Sequence, residues 1–125
     1  MIGESQNKKT VVLGASPNPA RFSFKAMKSI VRHGHEAVAV GFRPGVIYEH
    51  FIQRGQPEIK NVHTITLYIG IKRQEEFHDY ILSLKPRRVI FNPGTINEPF
   101  MRELAEHGIE TVDGCTLVML DSGEF

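Results

Sequence analysis

Five short strand-like runs punctuate the chain, and segments of helical period separate most of them. Val11-Val12-Leu13 is β-branched and wholly apolar, the pattern of a strand covered on both faces. From Ser23 onward, Phe24, Met27, Ile30 and Val31 fall at helical spacing. Ser23 is the expected N-cap there, and Gly34, after Arg32-His33, the expected stop. Residues 37–40 read as a second buried strand, closed by Gly41, and residues 64–69 as a third. Residues 75–84 place Phe77, Tyr80, Ile81 and Leu84 on one helical face before Lys85-Pro86 ends the run. Residues 88–91 form the fourth strand. Residues 97–106 form a helix that presents Met101, Leu104 and Ala105, with Asn97 as N-cap and Pro99 in the first turn. Residues 109–112 form the fifth strand.

Two stretches escape this rhythm. Residues 41–63 carry turn signals at Pro44-Gly45 and at Gly55 with Pro57, with a short extended piece expected around Ile52. After the fifth strand come Cys115 and an apolar run, residues 116–120, which can cover the sheet or a second subunit. Residues 1–8 are polar and expected to be loosely attached, leaving residues 9–125 as one domain. Strands alternating with helices predict an α/β fold: a Rossmann-like or flavodoxin-like three-layer sandwich with a five-stranded, mostly parallel sheet. In such a sheet, ligands bind outside the carboxyl ends of the strands, where the strand order reverses.

The composition narrows the function classes. The 125 residues are 41% hydrophobic, and 15 basic against 14 acidic residues give a net charge of +1. No global field draws the chain to nucleic acid or to anionic lipid. One cysteine excludes an internal disulfide framework. No apolar run approaches the roughly 20 residues of a membrane helix, and the N-terminal stretch lacks the apolar segment of a secretory signal. A cytoplasmic protein without nucleic-acid or membrane partners is the expectation. The six histidines lack ligand spacing, so no metal site is expected. Paired carboxylates, a Ser-His-Asp order and a Walker lysine motif are all missing from the pattern, so no catalytic residue is assigned.

The candidate chemistry follows the strands. After the first, Gly14 permits a tight exit, Ala15 leaves room for a ligand, and the Ser16 hydroxyl can donate to a phosphate oxygen. Pro17 shapes the same loop, and Arg21 brings a forked cation. A solvent-exposed loop whose serine merely caps fits this composition equally well. After the second strand, Phe42 offers a face for an adenine ring, and Arg43 a charge for a phosphate, beside Pro44. After the third, Ile69, Gly70 and Ile71 precede Lys72 and Arg73, two cations that oppose the dipole at a helix start unless an anion sits there. After the fourth come Pro93, Gly94 and Thr95; Gly94 suits a positive φ, and Gly94 and Thr95 are expected to line the crevice.

Taken together, these stretches resemble the small bacterial and archaeal CoA-binding proteins, whose domain is similar to the CoA-binding domain of the succinyl-CoA synthetase α subunit. The carriers are Val11 through Ser23, His33-Gly34-His35-Glu36, Gly55 with Pro57, Asn92 through Asn97, and Gly108 through Cys115. The resemblance implies a Rossmann-like fold in which Gly14, Ala15 and Ser16 cradle phosphates, Arg21 assists, and Ile69, Gly70 and Ile71 flank the adenine or ribose. The family ends its second strand with Asn-Pro and a basic residue. Here Phe42-Arg43-Pro44 keeps the proline one step late, with the cation ahead of it. Thr66 and Gly114 stand where family members commonly carry Asp and Arg.

The expected function is therefore non-catalytic binding of coenzyme A or an acyl-CoA at the carboxyl edge, as a sensor or accessory module. Two alternatives remain open. One is an NAD(P)-binding redox sensor; the other is an accessory subunit of a CoA-dependent transferase or ligase. A homo-oligomer or an enzyme partner is the partner expectation beside the CoA ligand.

Overall fold

The computed structural model describes residues 7–125. Six strands form one parallel sheet. They are β1 (Thr10–Ala15), β2 (Ala37–Gly41), β5 (Gln53–Arg54), β6 (Thr64–Leu67), β7 (Arg88–Phe91) and β8 (Glu110–Asp113), in the order β5-β2-β1-β6-β7-β8. β3 (Val46–Ile47) and β4 (His50–Phe51) pair separately as a small antiparallel hairpin. The predicted parallel α/β architecture is present with one strand more than expected. β5 is the addition: two exposed residues that pair with Val40 and Gly41, too short to leave an alternating pattern.

Alternation explains why the sheet is sandwiched. Val11, Leu13, Ile65, Leu67, Val89 and Phe91 point to one face, where Phe77, Tyr80, Ile81, Phe100 and Leu104 bury against them. Those five come from a helical stretch and a separate helix, α4 (Glu98–Glu106). The stretch runs through α2 (Ile71–Gln74), a 3-10 turn (Glu75–Phe77) and α3 (His78–Leu84). Val12 and Ile90 point the other way, to α1 (Phe22–Arg32) and α5 (Thr116–Ser122). Met27 and Ile30 of α1 are fully buried there, each worth about 1.5–3 kcal/mol relative to exposure.

Several boundaries shift from the expectation. The third strand ends at Leu67, not at residue 69. The helical stretch after it begins at Ile71 rather than near residue 75. The apolar run at 116–120 is a helix that packs on α1, with Leu120 buried. The expected loose N-terminus lies, for residues 1–6, outside the described residues; Asn7 and Lys8 are tied by hydrogen bonds to Glu36 and His35.

At the amino end of the sheet, two part-buried histidines are hydrogen-bonded. The Lys8 backbone N–H donates to His35 Nδ1 at 2.9 Å. Arg88 Nε donates to the Thr64 hydroxyl at 2.8 Å, and the same hydroxyl is hydrogen-bonded to His63 Nδ1, also at 2.8 Å. His35 must be neutral to accept at Nδ1. Burial lowers both pKa values from the ordinary 6.5, and Lys8 and Arg88 lower them further. Burial also lowers that of His78. The unfolded chain therefore binds protons that the folded chain refuses, so stability falls as the pH drops below 6.5 toward the depressed folded-state values. Urea denaturation should give a lower unfolding free energy at about pH 5 than at about pH 7.5. Equal values would show that these rings titrate as they do in the unfolded chain.

Candidate functional site

The chain runs outward from β1 to β2 and β5, then returns to β6 on the other side of β1. The order therefore reverses between β1 and β6, and the loops after these two strands border the crevice. Gly14 brings them together. The register with β2 shifts between Leu13 and Ala15, and Gly14 has a φ of +97°. A Cβ there would lie 2.9 Å from the Tyr68 carbonyl carbon and 3.0 Å from Ile69 Cγ1. The Tyr68 N–H closes the contact on the Leu13 carbonyl at 2.8 Å. Gly41 allows a second close approach, because a Cβ would sit 2.1 Å from the Ala15 carbonyl oxygen.

The loop after β1 is held by its own side chains. Ser16 Oγ accepts from the Asn18 N–H at 3.1 Å, and Asn18 Oδ1 accepts from the Ala20 N–H at 3.0 Å. These local turns use the serine as acceptor and leave its proton for an anion. α1 then begins at Phe22 with Arg21 at the N-cap, no side-chain cap and no acidic residue in its first turn. The expected Ser23 cap is thus corrected: Ser23 lies one residue inside the helix and is buried. Asn97 does cap α4, accepting from the Phe100 N–H. The uncapped end of α1 keeps its donor groups and positive dipole pole at the mouth of the loop.

Two adjoining clefts lie over this edge. The first, about 470 Å³, is bounded by Gly14, Ala15, Ser16 and Pro17, the start of α1, Phe42, Arg43, Tyr68 and Arg73. Arg21, Arg43 and Arg73 border it, no carboxylate does, and among the described residues none of the three makes an ion pair. The second, about 310 Å³, is more apolar, with Leu13, Val40, Ile69 and Phe77 in its walls alongside Arg54 and Glu76. Gly14, Phe42 and Arg73 are common to both. A wider groove of about 750 Å³ runs between residues 56–62 and the end of α3, apart from the switch point.

The structure gathers Gly14, Ala15, Ser16, Pro17, Arg21, Phe42, Arg43 and Ile69 around these clefts. It does not bring Pro44, Gly70, Ile71, Pro93, Gly94 or Thr95 to their walls. Gly70 is the N-cap of α2, and Ile71 is exposed in its first turn. Gly94 has the expected positive φ, +91°. Thr95 is turned inward: its hydroxyl donates to the Asn92 carbonyl, and its own carbonyl accepts from Gln74. Gln74 is wholly buried, bridging Ile69 and Thr95 while accepting from His78, which stacks on Phe100 at 3.7 Å.

Tyr68, Arg73, Phe22 and Arg54 also border the clefts, although the sequence pattern did not single them out as site residues. Tyr68 was hidden inside an assumed longer strand, and Arg73 was one of two cations with nothing to rank them. Burial pushes the Tyr68 phenol up to about 12, so it stays a neutral donor. Behind it, the Thr66 and Thr116 hydroxyls share a hydrogen bond of 2.7 Å. Asn92 donates to Thr66 and to the Leu67 carbonyl, and accepts from the Thr116 N–H. This closed network pins α5 to the ends of β6 and β7. Thr66 thus has an internal role in this chain.

Among the described residues, no three His, Cys, Asp or Glu side chains gather as a metal set, and no helix is long and apolar enough to cross a membrane. The family model described as a CoA binding domain matches residues 8–121. A solved protein described as uncharacterized is 49% identical, covers 95% of this chain over 98% of its own and has a TM-score of 0.93. A Thermus thermophilus protein superposes with a TM-score of 0.84 at 21% identity, over 98% of this chain and 94% of its own. A Pyrococcus horikoshii hypothetical protein does so at 0.81 and 20% identity, over 98% and 92%. These last two share the fold. No curated protein matches the chain.

Proposed function

The chain belongs to the CoA-binding-domain family, and from that premise we propose that it binds coenzyme A or an acyl-CoA without transforming it. The observation that carries this reading is the first cleft, where three arginines, none in an ion pair among the described residues, and an uncapped helix end meet with no carboxylate among them. An anion fits there, and a doubly charged pyrophosphate fits better than a single carboxylate. In this reading, Gly14, Ala15 and Ser16 hold the pyrophosphate, Arg21 and Arg43 neutralise it, and Phe42 with Ile69 and Phe77 receives the adenine. The bound form is then what a partner reads, as a sensor or accessory module acting in the cytoplasm.

A dinucleotide competes for the same topology. The end of β2 argues against NAD, because Gly41-Phe42-Arg43 supplies no acidic residue for the ribose hydroxyls. Calorimetric titration with CoA, 3′-dephospho-CoA and NAD tests the proposal. CoA should bind most tightly; NAD binding as tight as CoA, or no CoA binding, would overturn it. Turnover of an acyl-CoA by the purified chain would refute the non-catalytic part.

A further inference from the structure

The wall between the two clefts is made of two side chains. The Arg73 guanidinium lies over the Phe42 ring, 3.7 Å from its centroid. Phe42 in turn meets Phe77 edge-on, with centroids 5.6 Å apart and planes at 78°. One face of Phe42 is therefore covered by a planar cation, in the place where a planar heterocycle would stack. Little else holds that cation: Arg73 is exposed, makes no ion pair among the described residues, and sits in the single turn of α2 beside Lys72, a second cation. Arg43 adds like charge to the same cleft.

We propose that Arg73 is the specificity gate of this site: in the free protein it covers Phe42 and separates the clefts. A phosphate in the first cleft draws it off the ring and so admits an attached heterocycle to the second. The inference rests on the nucleotide reading above and adds to it a reason for rejecting unphosphorylated nucleosides. The physical basis is the ranking of two interactions. A guanidinium on an exposed ring gains less than one making charge-assisted, forked hydrogen bonds to a phosphate. A nucleoside offers no such exchange and must displace the cation without compensation.

Two measurements on the full chain test this. In NMR spectra, the Arg73 side-chain Nε–H should carry an upfield ring-current shift that disappears in Phe42→Leu. Inorganic pyrophosphate or CoA should abolish that shift in the unaltered protein, whereas adenosine at equal concentration should not. Titrations of Arg73→Ala should show CoA weakened by about tenfold, the loss of one charge-assisted contact, while adenosine binds several-fold tighter. A ring-current shift that persists with CoA bound would overturn the gate. So would adenosine affinity that is unchanged or weaker in Arg73→Ala. If CoA fails to bind the unaltered protein, the nucleotide reading itself falls, which is distinct from CoA binding with Arg73 still on the ring.

Discussion

Gly41→Ala should lower the melting temperature by on the order of 10 °C, the largest stability effect expected of a one-carbon change in this chain. The added carbon would fall 2.1 Å from the Ala15 carbonyl oxygen and 3.2 Å from Ile52 Cγ2. The oxygen belongs to backbone at the end of a central strand, so no flexible side chain can yield. β1 and β2 must separate where Ala15 pairs with Gly41. Overpacking of a close backbone contact costs about 3 kcal/mol. In a domain of this length, each kcal/mol moves the midpoint by roughly 4 °C. Gly70→Ala is the control: its φ is −66° and a Cβ there meets nothing within 4 Å. Thermal unfolding followed by circular dichroism compares the two. A Gly41→Ala midpoint matching that of Gly70→Ala would mean that the β1–β2 contact relaxes freely.

Arg21→Glu should weaken CoA binding on the order of 100-fold, since a charge-assisted contact is lost and a like charge replaces it. The same change should leave stability level or slightly raised. Arg21 is exposed, and its backbone carbonyl, which accepts from the Lys25 N–H, is unaltered. Its side chain makes no cap bond, and a carboxylate at this end of α1 complements the dipole. Opposite signs in affinity and stability separate a ligand-binding role from a structural one. Titration calorimetry and thermal melts on the same preparation read both. Unchanged affinity, or a fall in melting temperature that accompanies the loss, would remove Arg21 from the phosphate site.

The architecture was legible because each central strand is buried on both faces. Val11, Val12 and Leu13 all had to be apolar, and the helical faces of residues 24–31 and 75–84 repeated at the right period. Asn97 was readable as a cap because its side chain bonds within its own helix end. Ser23 had the same chemistry but the opposite outcome, since the first turn of α1 rotates it into the core. β5 and the hairpin were legible only as a short extended piece around Ile52, for another reason. Two-residue strands carry no period, and their pairing is decided by the neighbours they reach.

The site divides in the same way. Local pattern placed Gly14, Ser16, Arg21, Phe42 and Arg43 after their strands, because a parallel sheet puts every such loop on one edge. It also chose Gly94 and Thr95 by that rule, yet Gly94 stays exposed away from the clefts, and Thr95 turns inward and spends its polar groups on Asn92 and Gln74. Arg73 and Tyr68 enter only through the reversal of strand order at β1, which sets residues more than fifty positions apart around one opening. Spacing along the chain encodes which residues share a strand, a helix face or a loop, since those are local geometry. Which loops meet, and which cation lies on which ring, is encoded by the packing of the whole sheet, and only the folded chain decides it.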